Sequence, residues 1–190
     1  MKARASERDA QARMLAGTLY DPADPALMLA RRRARKLTHD FNHAPPGAVA
    51  LRGRLLRRLL GRCGATVLVE PPFFCDYGTH IELGDNVFIN FNCVMLDCAP
   101  IVVGARTSLG PGVMLLAATH PLDAATRRSG LESAAPIRVG DDVWLGAGAI
   151  VCPGVTIGSG SVVGAGSVVV RDLPANVVAL GNPCRVLRRL

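Results

Sequence analysis

Hydrophobic positions recur every six residues over the C-terminal part of the chain. Counted in sixes from Val139, the sequence reads VGDDVW, LGAGAI, VCPGVT, IGSGSV, VGAGSV and VVRDLP. The first position is always aliphatic, the second is glycine in four of the six units, and the fifth is usually small or branched. A helix of period 3.6 cannot produce this repeat, and strand alternation does not require glycine every sixth residue. The pattern predicts a parallel β-helix in which three six-residue sides form one triangular coil.

A second array of the same period precedes the first and is separated from it by an interruption. It reads LGDNVF, INFNCV and MLDCAP, then slips by two residues before VGARTS and LGPGVM. Residues 117–136 lack the repeat, yet Val139 follows Leu115 by 24 residues, or four units, so the phase is kept. We therefore expect an extruded loop, and long loops are usually functional. We attribute the recurring glycines to unusual backbone angles at the corners of the coils.

Residues 1–62 have a helical pattern instead. The first predicted helix has a Ser-x-x-Asp capping pattern at Ser6–Asp9 and a stop signal at Gly17. Pro25 is suited to the first turn of a second helix, and a third helix is predicted after Pro45-Pro46. The apolar stripe expected for the second helix consists of Leu27, Leu29, Ala34, Leu37 and Phe41.

Length and composition fit one domain with an appendage, a helical cap at 1–62 on a β-helix domain at 63–190. Hydrophobic residues make up 49% of the chain and aromatic residues only 4%, so the core must be aliphatic. No apolar run approaches the roughly 18 residues of a membrane span. The charged N-terminus lacks the apolar segment of a signal peptide, and we expect a cytoplasmic protein with no membrane partner.

The charge and the cysteines exclude two further classes of protein. The net charge of +7 comes largely from RRRARK and LRGRLLRRLLGR, which lie in helical patterns where charged side chains normally face solvent. Aromatic residues that could stack on bases are few, so no nucleic-acid partner is expected. The six cysteines are scattered without a C-x-x-C pair. We expect buried free thiols, without a zinc site or disulfides.

Several motifs together resemble one known family. They are MLAGTLYDPADPAL and FNHAPP in the cap, AATHPLD in the loop and GNPCRVLRR at the end. With the repeat, they make the chain similar to the maltose, galactoside and nodulation-sugar O-acetyltransferases, which are left-handed parallel β-helix acyltransferases. The resemblance implies a homotrimer that transfers an acetyl group from acetyl-CoA to a sugar hydroxyl and requires no metal.

The resemblance also implies roles for residues at matching positions. His120 would be the catalytic base. From its place later in the same loop, we expect Glu132 on the acceptor side as the partner of the other ring nitrogen, with a backbone carbonyl as the alternative. The acceptor pocket would be lined by Asp76, Asn90 and Asp97. The coenzyme A groove would be flanked by Trp144, Ala147 and Ala165, and its nucleotide end would meet Arg185 and Arg188.

The chemistry of these residues suits acetyl transfer. A sugar hydroxyl is a weak nucleophile, and an imidazole, which titrates near neutral pH, can take its proton during attack on a thioester. Pro121 biases the backbone of His120 to an extended form. The resemblance places an amide that stabilises the oxyanion of the tetrahedral intermediate near WLGAG, so the Ala147 N–H is the candidate donor. A thioester donor makes a covalent enzyme intermediate unnecessary, and we assign the cysteines no nucleophilic role.

Two positions depart from the family pattern. Pro22 stands where some members carry an acceptor-pocket aspartate, although Asp21 and Asp24 flank it. Cys98 stands where galactoside-type members have a second carboxylate. Both departures favour maltose or glucose over a galactoside as acceptor.

Other interpretations stay open on the sequence alone. A γ-carbonic-anhydrase-like metalloenzyme needs three histidine ligands, and the repeat region has only His80 and His120. A non-catalytic β-helix scaffold has no reason to keep Thr-His-Pro in its loop. Asn90 and Asn92 could be corner residues, since asparagine tolerates left-handed angles. An acceptor other than a sugar is a further alternative.

Overall fold

A computed structural model describes residues 10–190. Their centre is a parallel β-helix whose coils are lined up as three faces, each a sheet of stacked short strands. Face 1 contains β1 (Arg62–Cys63), β4 (Ile81–Leu83), β7 (Ile101–Val103), β12 (Ile137–Val139) and β15 (Thr156–Ile157). Face 2 contains β2 (Leu68–Val69), β5 (Phe88–Ile89), β8 (Ser108–Leu109), β13 (Trp144–Leu145), β16 (Val162–Val163), β18 (Val177–Gly181) and β19 (Cys184–Arg189). Face 3 contains β3 (Phe73–Cys75), β6 (Cys93–Leu96), β9 (Met114–Leu116), β14 (Ile150–Val151) and β17 (Val168–Val169).

The strand register confirms the predicted parallel β-helix of six-residue sides. In the later coils, partners in adjacent coils lie 18 residues apart, as in the pair Trp144 and Val162. In the earlier coils the offset is 20, as in Phe88 and Ser108. Across the interruption it is 36, as in Ser108 and Trp144. The phase of the repeat is thus restored after the interruption.

The core of the β-helix is a set of aliphatic columns. The first-position residues of the repeat point inward and are almost completely buried, as the sequence predicted: Val139, Leu145, Val151, Ile157, Val163 and Val169. Small polar residues at fifth positions are buried too, and they satisfy their hydroxyls locally. Ser167 Oγ, for example, donates to the Gly164 carbonyl at 2.6 Å.

The recurring glycines serve a different purpose from the one we predicted. Left-handed φ angles do occur at the corners, but two residues after the repeat glycine, as at Gly148 with φ of 67°. The repeat glycines themselves lack space, because a β-carbon on Gly146 would lie 2.5 Å from the Ala165 nitrogen of the next coil. Close stacking of the coils therefore requires glycine here.

The cap is helical, as predicted. In the described part of the chain α1 covers residues 10–15, and Gly17 follows with φ of 72°. The predicted capping pattern at Ser6–Asp9 lies outside the described residues. Helix α2 (Pro25–Asn42) begins where predicted, and the Asp24 carboxylate accepts a hydrogen bond from Ala26 N at 2.9 Å. No helix within residues 10–190 has the length and apolarity needed to cross a membrane.

The predicted stripe of α2 is correct except at Leu29. Residues Leu27, Ala34, Leu37 and Phe41 are buried, whereas Leu29 is 67% exposed. Residues 27, 34 and 41 follow a seven-residue spacing on one side of the helix, and position 29 falls about 200° away from position 27. Leu29 was thus wrongly assigned to the core.

The cap closes the first end of the β-helix. Helix α3 (Val49–Leu59) packs against α2, and the chain enters β1 three residues after α3 ends. Asn42, at the end of α2, holds the first coil twice, because its Nδ2 donates to the Phe73 carbonyl and its Oδ1 accepts from Phe73 N, both at 2.9 Å. A solenoid needs such a cover, because its terminal coil otherwise exposes an unpaired core.

The interruption is an extruded loop with structure of its own. Strands β10 (Ala118–Thr119) and β11 (Ser133–Ala134) pair as an antiparallel ribbon at its base. The short helix α4 (Ala124–Arg128) forms its tip, and the Asp123 carboxylate caps this helix by accepting from Thr126 N. The loop leaves the β-helix at the corner between face 3 and face 1, here called the 3/1 corner.

One methyl group added at a repeat glycine should destabilise the folded protein strongly. A β-carbon on Gly104 would lie 2.5 Å from Asp141 N of the next coil, so Gly104→Ala must push two coils apart. We expect the free energy of unfolding to fall by about 1–3 kcal/mol or more. Gly47→Ala is the matched control, because nothing lies within 4 Å of its added carbon. Urea denaturation measures both variants, and equal stabilities would contradict the close-packing explanation.

Candidate active site

Successive coils carry insertions at the same 3/1 corner. The 20-residue offset of the early coils reflects two extra residues between face 3 and face 1, in the segments 76–80 and 97–100. The third coil carries the extruded loop at this position. Three irregular segments therefore lie one above another, and they hold most of the residues predicted for the acceptor side.

The base of the loop brings His120 and Glu132 together. His120 directly follows β10 and Glu132 directly precedes β11, so the antiparallel pairing sets them side by side. His120 Nε2 lies 3.9 Å from Glu132 Oε1, beyond hydrogen-bond distance. The His120 side chain is 60% exposed and that of Glu132 is 23% exposed. The imidazole thus faces solvent with a carboxylate beside it, as a base that meets a soluble substrate requires.

Glu132 is held by a residue that the sequence analysis missed. Tyr20, in the segment between α1 and α2, donates its hydroxyl hydrogen to Glu132 Oε2 at 3.1 Å. The two residues also exchange backbone hydrogen bonds of 3.0 and 3.1 Å. The available signal was a large aromatic residue in an otherwise polar connection, LYDPAD, which indicates a buried anchor.

Asp97 lies behind the surface of the site. It is fully buried, and its carboxylate accepts hydrogen bonds from the backbone nitrogens of Asp76, Tyr77 and His80 at 3.1, 2.8 and 3.2 Å. Burial raises the pKa of Asp97, although the hydrogen bond from Tyr77 N and the nearby His80 oppose this rise. Asp97, which we predicted to line the acceptor pocket, thus uses its carboxylate to hold the backbone of the neighbouring coil. Its direct contact with an acceptor stays a prediction.

His80 belongs to the same buried network. Its Nδ1 lies 2.7 Å from the Asp97 carbonyl oxygen and 4.0 Å from Asp97 Oδ2. The ring also packs against Tyr77, with ring centroids 5.4 Å apart. His80 therefore helps to hold Asp97 in place.

Asp76 is half-buried and pairs with a thiol. Cys98 Sγ donates to Asp76 Oδ2 at 3.5 Å. Burial raises the pKa of Cys98 to about 12, and the nearby Asp76 adds to this rise while Tyr20 opposes it. Cys98 therefore stays a neutral hydrogen-bond donor. It stands at the position where, as noted above, galactoside-type members have a second carboxylate.

The predicted coenzyme A residues lie at a different edge. Ala147 and Ala165 are exposed and stacked at the corner between face 2 and face 3, here called the 2/3 corner. Asn90 lies on an earlier coil of this corner, where its Oδ1 accepts from Phe91 N at 2.8 Å. Asn92, two residues later, has φ of 61°, as expected of a corner residue. The width of face 3 separates this corner from His120 in the same chain.

Trp144 and the two arginines share the outer surface of face 2. Trp144 is 57% exposed. Arg185 and Arg188 lie opposite Leu180 and Val178, both outward residues of β18. In a regular strand, residues three apart point to opposite faces, but the pairing is shifted next to Val178. This bulge turns both arginines to the side that carries Trp144.

Within residues 10–190, no group of three or more histidine, cysteine, aspartate or glutamate side chains could hold a metal ion. The two histidines of the repeat region illustrate this, since His80 is inside the Asp97 network and His120 is on the loop.

Comparison with known families gives two matches. Residues 13–64 match the maltose acetyltransferase hexapeptide capping motif, and residues 136–171 match the bacterial transferase hexapeptide (six repeats). The first range covers α2 and α3, and the second covers most of the later coils.

Individual proteins are similar over nearly their full length. Nodulation protein L of Rhizobium meliloti is 42% identical over 179 residues, which cover 94% of this chain and 98% of that protein. The crystal structure of a maltose O-acetyltransferase from Clostridium difficile 630 superposes with a TM-score of 0.95 at 42% identity, covering 95% and 97% of the two chains. A hexapeptide-repeat-containing acetyltransferase from Vibrio cholerae O1 biovar eltor, complexed with acetyl coenzyme A, gives a TM-score of 0.89 at 40% identity, covering 94% and 97%.

Proposed function

The chain belongs to the hexapeptide-repeat sugar O-acetyltransferases, and on that premise we propose that it moves an acetyl group from acetyl-CoA to a sugar hydroxyl, with His120 as general base. The observation that carries this proposal is the pairing of an exposed His120 with Glu132 at the base of the loop. The acetyl-CoA bound to the Vibrio cholerae relative supports the donor.

The proposed reaction is a direct transfer. The His120 imidazole takes the proton of the acceptor hydroxyl as its oxygen attacks the thioester carbonyl carbon. The carbonyl oxygen becomes an oxyanion, and the carbon–sulfur bond then breaks to release the coenzyme A thiolate. The imidazolium returns the proton to that sulfur, so the enzyme ends unchanged. Glu132 stabilises the imidazolium during this cycle.

Ala147 is suited to receive the oxyanion. Its backbone N–H donates to no acceptor within residues 10–190 and is therefore free for a ligand. A preorganised N–H of this kind lowers the energy of a tetrahedral intermediate. Since Ala147 and His120 lie at different corners of one chain, we propose that the 3/1 corner of one subunit meets the 2/3 corner of another in a homotrimer.

The outer surface of face 3 supports such an assembly. Its outward positions align in register and are all apolar: Phe74, Val94, Met114, Ile150 and Val168. The matching row of face 1 is mostly polar: Glu82, Val102, Arg138 and Thr156. A contiguous exposed apolar patch usually marks an interface, and closed rotational symmetry would cover it on every subunit.

Maltose or glucose is the proposed acceptor. Cys98 is a neutral thiol bonded to Asp76, so the acceptor side has one carboxylate fewer than in galactoside-type members. Pro22 likewise offers no carboxylate, and its carbonyl accepts a hydrogen bond from Arg31. The proposal is tested by screening hydroxyl acceptors with acetyl-CoA and measuring the coenzyme A thiol that is released. Turnover only with a non-sugar acceptor would overturn it.

Charge on face 3 should dissociate the trimer. Met114→Glu puts a carboxylate into the apolar row, where burial in an interface is costly. We expect a mass near that of the 20.0 kDa monomer in light scattering, against about 60 kDa for the unmodified protein. Arg138→Glu on face 1 is the control and should stay trimeric. A monomeric unmodified protein would contradict the shared site.

The arginine pair should act on the donor alone. Replacing Arg185 and Arg188 with alanine removes two charge-assisted contacts to phosphate, of about 1.5–3 kcal/mol each. The KM for acetyl-CoA should rise tenfold or more while that for the sugar stays nearly constant. Arg189→Ala is the control, because Arg189 pairs with the inward-facing Val177 and lies on the other side of the strand. An unchanged KM for acetyl-CoA would show that Arg185 and Arg188 are solvated surface residues with no role in donor binding.

Removing the imidazole should slow the reaction without unfolding the protein. His120→Ala should lower kcat by about 10²–10⁴-fold, the usual contribution of a general base. The exposed side chain leaves no core cavity, so thermal stability should hold. General-base catalysis also predicts a rate that rises with pH in the unmodified enzyme, and the variant should lose that rise. His39→Ala, on the exposed side of α2, is the control; near-normal turnover of His120→Ala would show that the base is another residue.

A further inference from the structure

We propose that Tyr20 is a positioning residue for the catalytic base, because its hydroxyl holds the Glu132 carboxylate in front of His120. The inference rests on the proposed role of His120. It extends the active site to the helical cap, since Tyr20 lies in the segment between α1 and α2. The cap would then set the geometry of the extruded loop in addition to covering the β-helix.

Three hydrogen bonds join these residues, which are 112 positions apart in sequence. Tyr20 N donates to the Glu132 carbonyl at 3.0 Å, and Glu132 N donates to the Tyr20 carbonyl at 3.1 Å. These two bonds form an isolated antiparallel bridge that fixes the backbone of the loop just before β11. The third bond, from Tyr20 Oη to Glu132 Oε2 at 3.1 Å, fixes the carboxylate itself.

The two oxygens of the Glu132 carboxylate have different neighbours, and this explains what the Tyr20 hydroxyl does. Oε2 receives the phenol proton, and Oε1 is the oxygen that lies 3.9 Å from His120 Nε2. A glutamate side chain otherwise has several rotamers open to it, and this one is partly exposed. The phenol selects the rotamer in which the second oxygen faces the imidazole.

The surroundings keep the phenol a neutral donor. Tyr20 is 2% exposed. Burial raises its pKa well above the ordinary value, and the adjacent Cys98 and Glu132 raise it further. Cys98, itself protonated, donates to Asp76 on the far side. The Glu132 carboxylate therefore faces His120 at the loop and Tyr20 from the cap, with the neutral Cys98 thiol behind it.

A double-mutant cycle on kcat tests this inference. Tyr20→Phe removes the hydroxyl and keeps the buried ring and the backbone bridge, so the variant should fold. We expect it to lower kcat by about three- to tenfold with an unchanged KM for acetyl-CoA, as expected for a misplaced catalytic group. Glu132→Gln should lower kcat as well. In the Glu132→Gln background, Tyr20→Phe should have almost no further effect, because the hydroxyl acts through that carboxylate.

The other buried tyrosine supplies a matched control. Tyr77 is equally buried, and its hydroxyl accepts a hydrogen bond from Arg31 Nη1 at 2.7 Å, with no link to Glu132. Whatever Tyr77→Phe does to kcat, its effect should be the same with and without Glu132→Gln. Thermal unfolding of each variant separates a loss of stability from a loss of positioning.

The outcomes separate this inference from the proposed function. If Tyr20→Phe changes kcat by the same factor in both backgrounds, or not at all, the positioning role of Tyr20 is wrong. If His120→Ala keeps near-normal turnover, the proposed base itself is wrong, whatever the cycle shows. A strongly impaired His120→Ala together with independent effects of Tyr20→Phe and Glu132→Gln would overturn only the inference about Tyr20.

Discussion

Direct contact between the backbones of successive coils is the constraint on which the rest of this structure depends. Parallel strands stack at about 4.8 Å, and at the corners the coils approach so closely that a β-carbon on Gly104 or Gly146 would meet the backbone of the next coil. Each coil must therefore repeat the path of the one before. Extra residues can leave only where the chain turns, and the pairing resumes unchanged after them, as it does between Ser108 and Trp144.

The chain carries its extra residues at the 3/1 corner. Two small insertions and the extruded loop lie above one another there, and they carry three carboxylates that accept hydrogen bonds from uncharged donors. Asp97 accepts from backbone nitrogens, Asp76 from the Cys98 thiol and Glu132 from the Tyr20 hydroxyl. In a low-dielectric interior such satisfied networks are rigid. This rigidity suits a site in which the exposed His120 imidazole is the proposed base.

The two predicted halves of the site lie apart in one chain, and the proposed trimer would bring them together. Ala147 lies at the 2/3 corner and His120 at the 3/1 corner, with the apolar outer row of face 3 between them. Because the coils of the β-helix stack in register, one corner of the chain cannot move toward another corner of the same chain. We therefore regard a neighbouring subunit as the means by which the two halves would meet.

Much of the architecture was determined by the sequence, because its signals are local and periodic. The six-residue repeat predicted the β-helix and its buried columns, the kept phase predicted the loop, and Pro25 predicted the start of α2. Long-range contacts decided the rest. Packing left Leu29 in solvent, backbone approach gave the repeat glycines their role, and a bulge turned Arg185 and Arg188 to one side of their strand. Residues distant in sequence, Tyr20 with Glu132 and Asp97 with Tyr77, meet only after folding, since hydrogen bonds between coils and loop have no signature in local spacing.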